Sequence, residues 1–239
     1  MLFIIVETTM VEFKGFSPDI FNFFDELSKN NSKEWFDVNR PFYEKEIKNA
    51  SKNFIETMKI LFQSSKLDYV ADPKVNLFRI NRDIRFSQNK DPYKTNMGIF
   101  FPHRIDVKDF KKVSSGVYIH FGLDECFVAT GMHNPEPALL KLLRKKISDN
   151  WYDFESIINN SDFKNNFPKI FDENNVLKKL IGYTSDNPGY EYLKRKSFTY
   201  YKDIKNDVFY SHDLIDVTLK SAKSSQEFSI FLNDVLLDL

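Results

Sequence analysis

Cations crowd one short stretch of this chain. Between Val75 and Phe101 the sequence reads VNLFRINRDIRFSQNKDPYKTNMGIFF, with Arg79, Arg82, Arg85, Lys90 and Lys94 set against only Asp83 and Asp91. Guanidinium forks bind phosphate and carboxylate through paired hydrogen bonds and stay charged throughout the physiological range. Asn81 and Ser87 offer neutral hydrogen bonds beside them, and Asp91-Pro92 starts a turn that fixes the backbone ahead of Tyr93 and Lys94. The chemistry this pattern suggests is capture of an anion, with Arg79, Asn81, Arg82, Arg85, Tyr93 and Lys94 as the ligand-binding set. A lysine set among arginines would also be an amine of lowered pKa. A structural reading competes: Arg82 and Arg85 could pair with Asp83 and with helix carboxylates such as Glu34, Asp37 or Glu44, forming a salt-bridge network and nothing more.

Histidine is the usual acid or base near neutral pH. His103, His120 and His133 lie near the strand-like segments, and His120 with His133 form the candidate catalytic pair. The competing reading for each is a hydrogen-bonded sheet or core residue. No HxxxH, HxH or HExxH spacing and no cysteine cluster occurs, so the sequence signals no metal. It also lacks GxGxxG, P-loop and GxSxG patterns, which weakens dinucleotide, nucleoside-triphosphatase and hydrolase readings and leaves the cofactor unknown. Cys126 falls inside a strand pattern with no evident base beside it, which argues against a nucleophile. Tyr190 to Lys202, YEYLKRKSFTYYK, interleaves rings with cations in the manner of single-strand nucleic-acid binders. Against that, the chain has 34 Lys and Arg balancing 34 Asp and Glu, so the whole molecule has no long-range pull on nucleic acid.

The elements that must position these groups fall in order. Ser17-Pro18-Asp19 starts a helix carrying Ile20, Phe23, Phe24 and Leu27 on one face. Ser32 or Asn31 caps a second, and Pro41 opens or kinks a longer one with a stripe of Tyr43, Ile47, Ala50, Phe54, Met58 and Leu61. After Ser64 the period becomes two, giving strands at 74–81, 96–102, 116–122 and 126–132, with a further one near Ser197 to Tyr201. A hairpin joins 116–122 to 126–132. A loop at Asp124-Glu125, or at Leu123 to Cys126, sets His120 opposite Ala129 and Tyr118 opposite Gly131. A helix follows Asn134-Pro135-Glu136-Pro137 and runs to about Trp151, short helical pieces occupy 152–176, and two short helices near 211–221 and 225–237 close the chain. The expected fold is α+β: an antiparallel or mixed sheet of about five strands with N-terminal, central and C-terminal helices packed on it.

No long linker or internal repeat divides the chain, so residues 13–239 are expected to form a single α+β domain behind a 1–12 N-terminal extension, although Leu2 to Val6 also reads as an edge strand. No run approaches the roughly 20 apolar residues of a membrane span, and Leu2–Val6 is too short for a secretory core, so a cytoplasmic protein is expected. The single cysteine fits a reducing compartment. The implied partner is an anionic small molecule, with nucleic acid disfavoured, no membrane, and the oligomeric state open.

Several blocks together resemble a known family: GFSPDIFNFFDELSKNNSKEWFDVNRPFYE (15–44), LFRINRDIRFSQNKDPYKTN (77–96), GVYIHFG (116–122), GMHNPEPALLKLLR (131–144) and LKRKSFT (193–199). They are similar to domain-of-unknown-function family 2461, the conserved hypothetical proteins of bacteria and fungi. The resemblance covers nearly the whole chain from about Phe13. It implies a soluble single-domain protein and supplies no catalytic residue or cofactor.

Overall fold

The computed structural model describes residues 13–85, 88–107, 109, 113–171 and 176–238. The proposed extension and its alternative edge strand lie outside these residues. Helix α1 (Asp19–Lys29) buries Ile20, Phe23, Phe24 and Leu27, the stripe its spacing requires. Ser17 accepts from the Asp19 amide, and Ser32 caps α2 (Lys33–Phe42) by accepting from the Trp35 amide. Pro41 sits inside α2, and a π-helical segment (Tyr43–Asn49) follows before α3 (Ala50–Ser64). The wider turn rotates the buried stripe of α3 onto Ser51, Phe54, Ile55, Met58 and Phe62. Ala50 and Leu61, expected on that stripe, are only half-buried as a result.

Five antiparallel strands follow: β1 (Asn96–Pro102), β2 (Gly116–Gly122), β3 (Cys126–Met132), β4 (Lys169–Ile170) and β5 (Phe198–Asp203), ordered β1-β2-β3-β5-β4. The expected strand at 74–81 is not a regular one. Buried Asn76 donates to the carbonyls of Val70 and Phe100, curling 72–76 into a turn. Beyond it, only single bridges join Leu77 to Ile99 and Asn81 to Tyr93. The β2–β3 register also differs: Tyr118 lies opposite Ala129, and His120 opposite Phe127. The turn begins one residue earlier than expected, with the Gly122 amide bonded to the Glu125 carbonyl. A shift of two residues leaves each side chain on its expected face but changes its neighbours.

Helices α4 (Pro137–Asp149), α5 (Trp151–Asn159) and α6 (Ser161–Asn166) come between β3 and β4, and short α7 (Tyr190–Leu193) precedes β5. After α8 (Asn206–Phe209), one helix, α9 (Asp213–Asn233), replaces the two expected, running into a final turn at Asp234–Asp238. Its buried face combines Leu214, Phe228, Phe231 and Leu232 with the small residues Thr218, Ser221, Ala222, Ser225 and Ser229, and the helix lies on β2 and β3. Ser229 shares a hydrogen bond with Ser115, and Asn233 accepts from the Ser115 amide, which satisfies these polar groups inside the core. Ile99, Phe101, Val117, Ile119, Phe121 and Val128 form the covered face of the sheet. The opposite face forms one wall of a groove.

Candidate functional site

The arginine-rich stretch folds as an irregular ribbon. Arg82 N donates to Pro92 O and Lys94 N to Ile80 O, around the Asn81–Tyr93 bridge. Asn31, at the turn between α1 and α2, clamps the ribbon by exchanging hydrogen bonds of 3.0 Å with both backbone polar groups of Tyr93. The Tyr93 ring is turned inward, stacked on Phe36 at 4.1 Å. Tyr93 therefore anchors the ribbon, and its ring is not offered to a ligand in this arrangement.

The three arginines part company. Arg85 pairs with Asp83 at 2.6 Å, and Arg79 reaches the same carboxylate at 4.0 Å; both side chains are largely in solvent. Those contacts hold the Asp83 carboxyl well below its usual range, first through the Arg85 hydrogen bonds. Asn81 is exposed. Arg82 alone turns toward the sheet, where it lines a cleft of about 370 Å³ with Lys94, Asn96, His120, Gly122 and the turn acids Asp124 and Glu125. Its Nη2 makes one long bond, 3.4 Å, to the Tyr93 carbonyl, and its buried Nε has no partner. Among the described residues neither Arg82 nor Lys94 has a carboxylate within salt-bridge distance. Lys94 lies 5.8 Å from the Phe78 ring centre. Burial, then the neighbouring charges of Arg79 and Arg82, push its pKa below the ordinary lysine value.

His120 is held by aromatic neighbours. Its ring stacks on Phe127 at 4.7 Å and 5°, and Nδ1 lies 3.0 Å from the Tyr118 hydroxyl. The Asn96 amide nitrogen is 3.3 Å from Nε2 and 3.4 Å from Nδ1. Burial lowers the imidazole to about 4 and, with Glu125 nearby, raises the Tyr118 phenol to about 12. Both are neutral at pH 7. Two glycines make room for the pair: a Cβ on Gly98 would meet the Tyr118 hydroxyl at 2.6 Å, and one on Gly122 would meet His120 Nε2 at 2.9 Å. The cleft thus gathers two cations, the turn carboxylates of Asp124 and Glu125, and a neutral, hydrogen-bonding imidazole.

His133 is not part of that cleft. It is exposed beyond β3, edge-on to Phe171 at 5.2 Å, on the wall of the larger groove that His120 also lines. His103 packs edge-on against Tyr69 at 5.0 Å, and burial lowers its pKa as well. In the 190–202 stretch, Tyr192 packs on Trp151 and Phe154, while Tyr200 packs on Phe163 and Phe228; these rings are occupied inside the protein. Cys126 is buried, and burial raises its thiol. No group of three or more His, Cys, Asp or Glu among the described residues could hold a metal ion. Ser87, expected beside the arginines, lies outside the described residues.

Sequence reasoning passed over Asn96, Gly98 and Gly122. The available signal was the pairing of β1 with β2, which sets Gly98 opposite His120 and Asn96 opposite Gly122.

The fold is an α+β sheet protein, and no described helix is long and apolar enough to cross a membrane. The chain belongs to the conserved hypothetical protein family DUF2461, whose model matches residues 19–231. No curated protein and no solved structure matches it.

Proposed function

We propose that the cleft binds a small anionic ligand, a phosphate or carboxylate, between Arg82 and Lys94, with His120 and Asn96 orienting it. The observation that carries this reading is that Arg82 and a half-buried Lys94 line one cleft and, among the described residues, neither has a carboxylate within salt-bridge distance. Guanidinium and ammonium groups held together in this way bind an anion through charge-assisted hydrogen bonds. Arg79, whose charge acts on Lys94, would add longer-range attraction. An enzyme built here would use neutral His120 as proton acceptor, phosphoryl transfer or hydrolysis being the class to test first. His133 would act only on a ligand long enough to extend along the groove. The one cysteine, buried Cys126, supports a cytoplasmic, reducing setting.

The test is calorimetry with inorganic phosphate and sugar phosphates on the wild type and on Arg82→Ala. Binding by the wild type and its loss in the variant is the expected result; equal heats from both would refute the site. Anion binding should also raise the Lys94 pKa, so at alkaline pH it should be accompanied by proton uptake, seen as a dependence of the heat on buffer ionisation.

A second reading has its own observation. The Arg85–Asp83–Arg79 contacts form an outer ion-pair group that needs no ligand, as in a non-enzymatic scaffold protein. On this reading Arg82 is structural too, through its bond to the Tyr93 carbonyl, and Arg82→Ala costs a few kcal/mol of stability.

A further inference from the structure

We propose that the open face of the sheet is the second half of the ligand site and that its occupant is a small amphiphilic anion: a phosphate or carboxylate attached to an apolar chain or ring. This rests on the cleft reading above and names the substrate class for it. The groove holds about 1150 Å³, and its surface is mainly apolar, with Phe78, Phe100, Tyr118, Phe127, Ala129 and Phe171 in its walls. Small-molecule sites usually measure about 300–1,000 Å³ and combine apolar walls with a few placed polar groups.

Two observations join the two spaces. His120 and Glu125 line both. Phe78, in the groove wall, lies beneath the Lys94 ammonium of the cleft and 5.7 Å from the Tyr118 ring. A purely polar metabolite would leave the aromatic wall wet, and a neutral lipid would leave Arg82 unmatched. The amphiphilic anion is the one class that satisfies both ends.

The experiment is calorimetry on the full chain with n-octyl phosphate, inorganic phosphate and n-octanol. Octyl phosphate should bind at least about tenfold more tightly than either of the others, a difference of about 1.4 kcal/mol. Ala129→Phe, which fills the groove floor, should bring octyl phosphate down to the affinity of inorganic phosphate. Should that variant fail to fold, Phe100→Trp supplies the readout: its emission should shift to the blue with octyl phosphate and stay put with inorganic phosphate. Octyl phosphate binding no tighter than inorganic phosphate would overturn the groove assignment and leave the cleft reading standing. Octanol binding as tightly as octyl phosphate would also overturn it, because the head group would then contribute nothing. Octyl phosphate binding that Arg82→Met does not weaken would remove the cleft reading instead, and the inference with it. A wild-type dimer that Ala129→Phe converts to monomer in sedimentation would mean that a second copy covers the face, and would likewise overturn the proposal.

Discussion

On the covered face of the sheet, Ile99, Val117, Ile119 and Val128 are enclosed, and α9 lies against the strands through serines and an alanine. On the open face, the alternate residues of β1 and β2, Phe100, Tyr118 and His120, keep part of their surface in water, while Phe127 and Ala129 of β3 are buried. The contrast shows in two histidines. His103 is fixed in the packed region, with Nδ1 against the Arg104 carbonyl and an edge against Tyr69. Burial lowers the pKa of His120 as well, yet it lines an open cleft. The rings of Phe127 and Tyr118 lie against it. A neutral imidazole with access to solvent costs stability to maintain at low pH, and packing of the core does not call for it. That asymmetry is the reason to look for function on the open face.

The strongest way to break the comparison is to truncate matched rings. Phe121→Ala, on the covered face of β2, should cost about 3–5 kcal/mol in urea denaturation, because helices hold the cavity open. Phe100→Ala, on the open face, should cost less than half of that; equal losses would mean the open face is also structural core.

The next effect is pH-dependent. The folded His120 pKa of about 4 lies below the ordinary value of 6.5, so the unfolded chain binds more protons between these limits. The associated stability is present in full above 6.5 and is lost as pH falls toward 4, by about 1–3 kcal/mol after allowance for partial exposure. His103 acts in the same direction, so the contribution of His120 is read from the flatter slope of His120→Gln. A proton resonance of His120 titrating near 6.5 would remove the basis for its role.

Arg82→Ala should change stability by less than about 1 kcal/mol, because the side chain has one long hydrogen bond and no acid partner among the described residues. A loss of about 3 kcal/mol or more would favour the scaffold reading. The smallest effect is expected at the outer pair: Asp83→Asn should leave the denaturation midpoint unresolved from wild type, since the carboxylate and both arginines are screened by water.

The order of elements was legible because local rules decide it. The helical stripe of α1, the Ser32 cap and the period-two runs of β1, β2 and β3 all occur where spacing places them. The errors fell where a distant partner intervenes. Segment 74–81 has strand composition, but Asn76 bonds two remote carbonyls and bends it. The serines of 221–229 look like a helix break until the sheet beneath them gives small residues a use. The hairpin register depended on which residue began the turn, a matter of one backbone hydrogen bond.

The sequence by itself determined that cations would gather near residues 79–94, that His120 would stand on a strand with Tyr118 on the same face, and that the fold would be helices on a sheet. Composition and periodicity carry that much, because charge, β-branching and turn chemistry act over a few residues. Only the tertiary structure decided that Arg82 and Lys94 face the cleft while Arg79 and Arg85 turn to Asp83, that Tyr93 points inward, and that His133 stands apart. Side-chain direction along an irregular ribbon follows no fixed period. It is set by Asn31 and by β1, neighbours that folding brings from elsewhere in the chain.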